Sequence, residues 1–570
     1  MIRFATRRGG AALLAIACAT GMAACSSTSS STSTTHASAG AVKSGGTLTY
    51  ALDEDLAGFN ILQANDSEFV LQEILDQVWP SVYIAQPNVS LALDTNVVTS
   101  ATVTSQNPQT IVYQINPKAT WSDGTPISAQ DFIYNWQAQS GSTTYKDVGG
   151  KAYLPATTAG YASIKSVTSS NNGKTATVVF STPFGDWKSL FSPMIPAHIA
   201  STVGFNDGFQ NFGPAEKVSG GPYEIQSYTK GEDLVEVPNP HYWGAAGKLS
   251  KIVFRFILDD TQIPPAMQNG EVNLANPIAA TVAFKDGVSS IANTTTTVIP
   301  GLEFQHIDFN QSNPYLALAN VRHAIAYGLN RAQIIQRIVG PITSSISALQ
   351  NRIWMPIQPQ YQNTSGGFGD FNPSMATTLL KQSNMTMGSD GYFHPNFGPQ
   401  AGKDLTLSIS TTTGNPVRAE IEQLFQADMK AIGIKINIQN YNANTLFGTV
   451  LPKGEFDITQ FAWVSTPFAS GNVSIYCSYT NTANCGQNWD HYSDKQVDSL
   501  LTQAEATTND TQAASLYNQV DTLLWKDMVT LPLFEAAQLY AWSNAYANII
   551  PNPTSIGVPW NAQLWGLKSA

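Results

Sequence analysis

The sequence predicts a mixed α/β protein with more than one domain, and three observations support this. At 570 residues and 43% hydrophobic content, the chain exceeds the roughly 250–300 residues at which a single core stops growing, so two or three domains are expected. Residues 405–438 read as strand, helix, strand: Leu405, Leu407 and Ile409 alternate, Asn415-Pro416 starts a helix, and Ile434, Ile436 and Ile438 alternate again. Within the helix, Val417, Ile421, Leu424, Phe425, Met429 and Ile432 keep one apolar face, and Gly433 suits its C-terminal stop. A βαβ unit implies a parallel strand pair with a right-handed crossover. Third, short alternating runs such as Gly46 to Leu52, Ile252 to Ile257 and Leu302 to Asn310 recur along the chain.

The chain opens with a leader. Arg3, Arg7 and Arg8 precede an apolar run from Ala11 to Ala24, too short for the ~20 residues that span a bilayer and suited to a secretory signal over residues 1–24. Met22-Ala23-Ala24-Cys25 resembles the bacterial lipobox, in which Cys25 becomes the lipidated first residue of the mature protein. An ordinary signal peptide cut near Ala24 is the alternative, and Arg7-Arg8 leaves a twin-arginine export route open. Residues 25–45 are nearly all Ser, Thr, Ala and Gly, a composition that cannot bury enough surface to order itself, and they read as a flexible tether. Export also bears on the cysteines. Cys18 and Cys25 lie in the leader, leaving Cys477 and Cys485 as a pair that an oxidising compartment is expected to join as a disulfide. A metal site there would have only Asp490 and His491 nearby.

In the mature chain a helix is expected from about Asp66 to Val78. Thr110-Ile111-Val112-Tyr113-Gln114-Ile115 reads as a strand, Asp123-Gly124 as a tight turn, and Ser128 as the N-cap of a helix with Asp131 at the capping-box position. Asn171-Asn172-Gly173-Lys174-Thr175 lacks the upstream glycine and following helix of a phosphate loop, so it reads as a hairpin turn. A short helix is expected from Ala266 to Val272. Asn330 is a candidate N-cap with Gln333 three residues on, and a last amphipathic helix covers about Thr511 to Met528.

Four segments together carry a resemblance. These are Trp121-Ser122-Asp123-Gly124-Thr125-Pro126-Ile127-Ser128-Ala129-Gln130-Asp131-Phe132; the pair Gly221-Pro222-Tyr223 and Asn239-Pro240-His241-Tyr242-Trp243-Gly244; Val321-Arg322-His323-Ala324-Ile325 leading to Asn330-Arg331; and the ordered run that ends in Leu531-Pro532-Leu533-Phe534. In that order they resemble the family 5 extracytoplasmic solute-binding proteins, the peptide-, nickel- and oligosaccharide-capturing receptors of ABC importers. The resemblance covers about Gly46 to Phe534. It implies an α/β, two-lobed periplasmic-binding-protein-like fold (type II, cluster C-like) with mixed sheets, a hinge and an extra subdomain in the first lobe. The implied division is residues 46–82, 188–299 and 529–570 for lobe 1, 83–187 for its extra subdomain and 300–528 for lobe 2, with hinge crossings near 299–305 and 528–534.

Composition and motifs restrict the chemistry. A formal charge of -11 without basic runs argues against a nucleic-acid surface. The chain holds no Gly-x-Ser-x-Gly elbow, His-Glu-x-x-His, Walker loop or Cys-x-x-Cys, and its seven histidines have no ligand spacing. No enzyme activity, metal or cofactor is expected; an exported hydrolase or an adhesion lipoprotein are the competing classes. The resemblance implies instead a monomer, lipid-anchored to the outer face of the membrane, that takes a small solute between its lobes and passes it to an ABC permease. Oligopeptide is the favoured solute, with an oligosaccharide or other solute as the alternative.

Ligand contacts are expected at Asp53, Asn60, Phe304, His306, Trp354, Trp463, Ser465, Thr466 and Phe468. In peptide-binding relatives, the segment after a Phe-Asp-hydrophobic strand carries an aspartate that pairs with the peptide's α-ammonium. Here that strand is Phe456-Asp457-Ile458, and Thr466 stands at the aspartate's place, with Gln460 where some relatives carry arginine. A hydroxyl cannot balance a buried ammonium, so a less charged ligand is expected, or a peptide anchored elsewhere, for instance by Asp53, Glu54 or Asp55.

Overall fold

Ten strands form one continuous sheet: β1 (Thr47–Leu52), β2 (Tyr223–Thr229), β3 (Asp233–Pro238), β4 (Lys251–Phe256), β5 (Leu274–Ala275), β6 (Thr294–Phe309), β7 (Thr406–Ser410), β8 (Lys435–Ile438), β9 (Ile458–Val464) and β10 (Thr530–Ser543). Their spatial order is β8-β7-β9-β6-β10-β5-β1-β4-β3-β2. The computed structural model describes residues 41–63, 66–278, 280–442, 445–479 and 485–569, so the signal segment, Cys25 and most of the tether lie outside the described residues. Val42 and Lys43, counted with the tether in the sequence reading, pair with Lys568 and Leu567.

β6 and β10 run through the whole sheet. They pair antiparallel from Thr294 opposite Ser543 to Asp308 opposite Thr530. The ladder is irregular where Pro300 faces Ala537 and Phe304 faces Glu535, and again at His306 opposite Pro532; proline donates no ladder hydrogen bond, and such sites bulge and bend. The strand expected at Leu302 to Asn310 therefore begins earlier, at Thr294. To one side of the irregularity lies a core built on Leu48, Tyr50, Trp79, Phe132 and Trp565. To the other lies a separate core built on Ile307, Leu407, Ile409, Phe425 and Leu531.

An antiparallel four-stranded sheet, in the order Val98–Gln106, Gln109–Ile115, Thr175–Phe180, Ile164–Ser170, packs with helix α1 (Ala129–Gln139) on the first side. α1 starts with a full capping box. Ser128 accepts from Gln130 N at 3.2 Å while Asp131 Oδ2 accepts from Ser128 N at 2.8 Å. Asp131 Oδ1 also receives Trp121 Nε1 at 3.3 Å and Ala197 N at 3.1 Å, which explains why the tryptophan and the aspartate occur together. Asn171 and Asn172 take φ of 52° and 50° in the hairpin between the last two strands.

On the second side, β7, helix α2 (Pro416–Ala431) and β8 form the expected βαβ unit, with β7 and β8 parallel. Asn415 caps α2 by accepting from Arg418 N at 3.0 Å, and Gly433 sits at φ 83° just beyond its end. α3 (Lys495–Glu505) and α4 (Asp510–Asp527) pair behind a third cluster containing Trp354 and Tyr517. Cys477 and Cys485 are disulfide-linked, Cα to Cα 5.5 Å. The helix expected at Asp66–Val78 is shorter, Phe69–Leu75, and the one expected at Ala266–Val272 lies earlier, at Ile263–Gln268, where Pro264 and Pro265 suit its first turn. Among the described residues no helix is long and apolar enough to cross a membrane.

Candidate solute cleft

The strand directions locate a cleft. β1 runs parallel to β4 and β5, and β7 runs parallel to β8 and β9. β5 is antiparallel to β10 and β9 antiparallel to β6. The carboxyl ends of the first set (Leu52, Phe256, Ala275) therefore point toward those of the second (Ser410, Ile438, Val464), with β6 and β10 crossing between them. The crevice beyond strand carboxyl ends is where open α/β sheets take ligands.

Desolvated charges gather at this crossing. After β1, Asp53 Oδ2 accepts from Ile278 N at 2.9 Å, and burial pushes its carboxyl above the usual range. Burial, then the neighbouring Asp53 charge, does the same to Glu54. On the crossing strands, burial pushes up the Glu303 carboxyl against the opposing pull of Arg418, and pushes that of Glu535 up to about 7. Arg418, in the first turn of α2, donates from Nη1 to Thr412 Oγ1 at 2.8 Å, and burial lowers its affinity for the proton.

The segment after β9 closes one end of the cleft. Ser465 N donates to Leu302 O at 2.9 Å. Thr466 spends its hydroxyl on its own loop, accepting from Phe468 N at 3.1 Å and donating to Phe468 O at 2.9 Å. Beside this loop is a cavity of about 240 Å³ walled by Trp354, Phe468 and Tyr517 from one half and by Val89, Asp186 and Lys188 from the other. The halves touch around it. Gly185 N donates to Glu505 O at 2.6 Å and Ser470 N to Asp186 Oδ2 at 2.8 Å. Thr508 Oγ1 donates to Gln106 Oε1 at 3.0 Å, and Lys188 Nζ lies 3.8 Å from Asp510 Oδ2.

Comparison with known proteins fits this geometry. The model of the bacterial extracellular solute-binding proteins, family 5, matches residues 93–484. The chain belongs to this family. The oligopeptide-binding protein OppA of Mycobacterium bovis is 29% identical over 517 residues, which is 89% of this chain and 83% of that protein. Among solved structures, the periplasmic EDTA-binding protein EppA aligns with a TM-score of 0.85 at 25% identity, covering 93% of this chain and 98% of that one. The oligopeptide-binding protein AppA from Bacillus subtilis, in complex with a nonapeptide, aligns with a TM-score of 0.74 at 18% identity, covering 93% and 100%. The α/β fold is thus that of the type II periplasmic binding proteins, and the chain is a solute-binding protein of the ABC-importer class.

Within this family 5 fold, the expected contact residues divide into groups. Trp354 and Phe468 form cavity wall, with Ser465 and Thr466 beside them. Trp463 lies in a stack, its ring 17° from parallel to both His306 (5.8 Å) and Trp489 (5.5 Å). His306 is buried, its Nε2 3.1 Å from Asp308 Oδ1, and Phe304 is buried against Leu302, Leu349 and Met355. Asp53 stands at the end of β1. Asn60 is set apart: it is fully buried, its Nδ2 donating to Phe205 O at 2.7 Å and its Oδ1 accepting from Leu62 N at 3.2 Å, so it braces a turn of the first core. Asp186, Lys188, Tyr517 and Arg418 escaped the sequence reading, since no local spacing ties them to the cleft. Away from it, Asp390, His394 and Asp404 bring one ligand atom each within 4.8 Å of one another. These groups already serve each other and Lys435, with His394 Nε2 2.9 Å from Asp390 Oδ2 and Lys435 Nζ 3.2 Å from Asp404 Oδ2.

Proposed function

We propose that this protein is a lipid-anchored receptor that captures an oligopeptide between two lobes and delivers it, chemically unchanged, to a membrane ABC permease. Lobe 1 comprises residues 46–299 and 529–570, with 83–187 as its extra subdomain, and lobe 2 comprises 300–528. The observation that carries the reading is the cavity beside β9, whose walls come from both halves of the chain. A solute touching both lobes binds the closed form more tightly than the open one and shifts the population toward closure. The irregular ladder at Pro300 and His306 gives β6 and β10 two places to bend. Relatives named as oligopeptide-binding support the solute class. Cys25 supplies the lipid, residues 25–45 the tether, and the receptor works as a monomer.

Mass spectrometry of solute released from the purified protein by mild denaturation tests the reading. Peptides of a few residues are the expected result, whereas a preparation that hydrolyses its solute, or that binds none of a random peptide pool in calorimetry, overturns it. A non-peptide solute is the second reading. It is favoured by Thr466, an uncharged residue already bonded within its own loop, and it accords with the structural likeness to an EDTA-binding protein.

A further inference from the structure

The cavity between Trp354, Phe468 and Tyr517 gathers more negative charge than the protein neutralises. Asp186 and Asp510, the latter in the first turn of α4, line the wall, Glu505 at the end of α3 lies close enough behind to feel the Asp186 charge, and the one opposing cation among the described wall residues is Lys188, 3.8 Å from Asp510. Asp186 is held on this side by Ser470 alone, whose N donates to its Oδ2 at 2.8 Å and whose side chain also bonds to it. Burial first, and then the Asp510 charge, pushes the Asp186 carboxyl up; burial and the Asp186 charge do the same to Glu505. The wall also holds a donor. Trp354 is 5% exposed, and its indole Nε1 has no hydrogen-bond partner among the described residues. Carboxylates lacking a cation and an N–H lacking an acceptor are complementary to one group: a primary ammonium with a carbonyl beside it.

We infer that this cavity is the solute's ammonium subsite, with Asp186 pairing the cation and Trp354 Nε1 donating to the adjacent carbonyl. The inference rests on the peptide reading above and deepens it. It also accounts for Thr466: the loop after β9 carries no carboxylate of its own, and Asp186 arrives from the opposite lobe to lie against the same loop at Ser470. The charge partner thus crosses the cleft, so engaging the amine also fastens the two lobes together. A peptide α-amine and a lysine side chain present the same chemistry.

Calorimetry of the full chain with tetraalanine, its N-acetylated form, and an N-acetylated tetrapeptide containing one internal lysine separates these sources. Acetylation is expected to weaken binding roughly ten- to hundredfold, the range for a charge-assisted hydrogen bond; lysine restores affinity if the side-chain amine is accepted. Asp186→Asn, which keeps an oxygen for the Ser470 amide, should remove the differences among the three probes. Trp354→Phe, which keeps the ring and loses the N–H, should weaken the amine-bearing probes. Equal binding of acetylated and free peptides by the wild type, or undiminished discrimination in Asp186→Asn, overturns the inference alone. Failure of all three probes to bind overturns it together with the peptide reading.

Discussion

The amide of Gly185 donates to the carbonyl of Glu505 at 2.6 Å, joining the loop after the Thr175–Phe180 strand to the end of α3 at the rim of the cavity. This backbone contact leaves no room for a side chain, because a Cβ on Gly185 would strike the carbonyl oxygen of Thr507. Gly185→Ala must therefore push the Gly185 and Thr507 backbones apart, at a cost of about 1–3 kcal/mol of overpacking strain. On the two-lobe reading proposed above, opening the cleft relieves this clash. The expected outcome is roughly ten- to hundredfold weaker solute binding, with little change in the melting temperature of the solute-free protein. Unchanged affinity in calorimetry would mean that this contact is no part of closure.

Asp131 is a second point of leverage, this time on stability. Its carboxylate takes three donors at once: Ser128 N, Ala197 N and Trp121 Nε1. Removing the acceptors leaves buried N–H groups unsatisfied and breaks the reciprocal half of the capping box, while Ser128 still caps α1. Asp131→Ala should destabilise the protein by about 2–4 kcal/mol, the cost of leaving more than one buried donor without its acceptor. Chemical denaturation measures this, and Asp131→Asn, which retains one acceptor oxygen, should recover part of the loss.

Glu73 sets a pH dependence. It is buried, receives Tyr50 Oη at 2.9 and 3.0 Å, and burial pushes its carboxyl up to about 8. The folded state therefore holds a proton that the unfolded chain releases near pH 4.3. Because the folded pKa lies above the unfolded one, this stabilisation is fully present below that pH and is lost as pH rises through about 8. Asp76, Glu422 and Glu535, each raised to about 7 by burial, act in the same direction. Urea midpoints should fall between pH 5 and 8.5, and Glu73→Gln should flatten that slope by an amount on the order of a few kcal/mol. A slope identical to wild type would show that Glu73 is already ionised in the native state.

The sequence made its local devices readable and hid its long-range ones. Ser128 with Asp131, and Asn415 with Pro416 and Gly433, are legible because each cap closes within a few residues. The first half of β6 is not: Thr294 to Thr297 lacks an apolar alternation, Pro300-Gly301 reads as a break, and the strand is held there by its register with Ser543 to Ala537. Asn60 is expected as a ligand contact, and the partner that holds its side chain, the Phe205 carbonyl, is too distant in sequence to be read from it. The cavity wall has the same difficulty in stronger form. Asp186, Trp354, Phe468 and Tyr517 line one cavity although they lie far apart in the sequence.

Trp463 offers the last test, one in which packing and binding make different demands. Its ring is sandwiched between His306 and Trp489, with Phe461 at 5.1 Å edge-on, yet the residue is only half-buried at the carboxyl end of β9, where that strand meets the cleft. A fully buried tryptophan costs about 3–5 kcal/mol on truncation, and this one, partly solvated, should cost less, leaving the protein folded at room temperature. If its remaining exposed face is ligand wall, Trp463→Ala weakens solute binding by more than Trp463→Phe, which keeps an aromatic surface in the stack. If the ring serves packing alone, both variants lower the melting temperature while calorimetry returns the wild-type affinity.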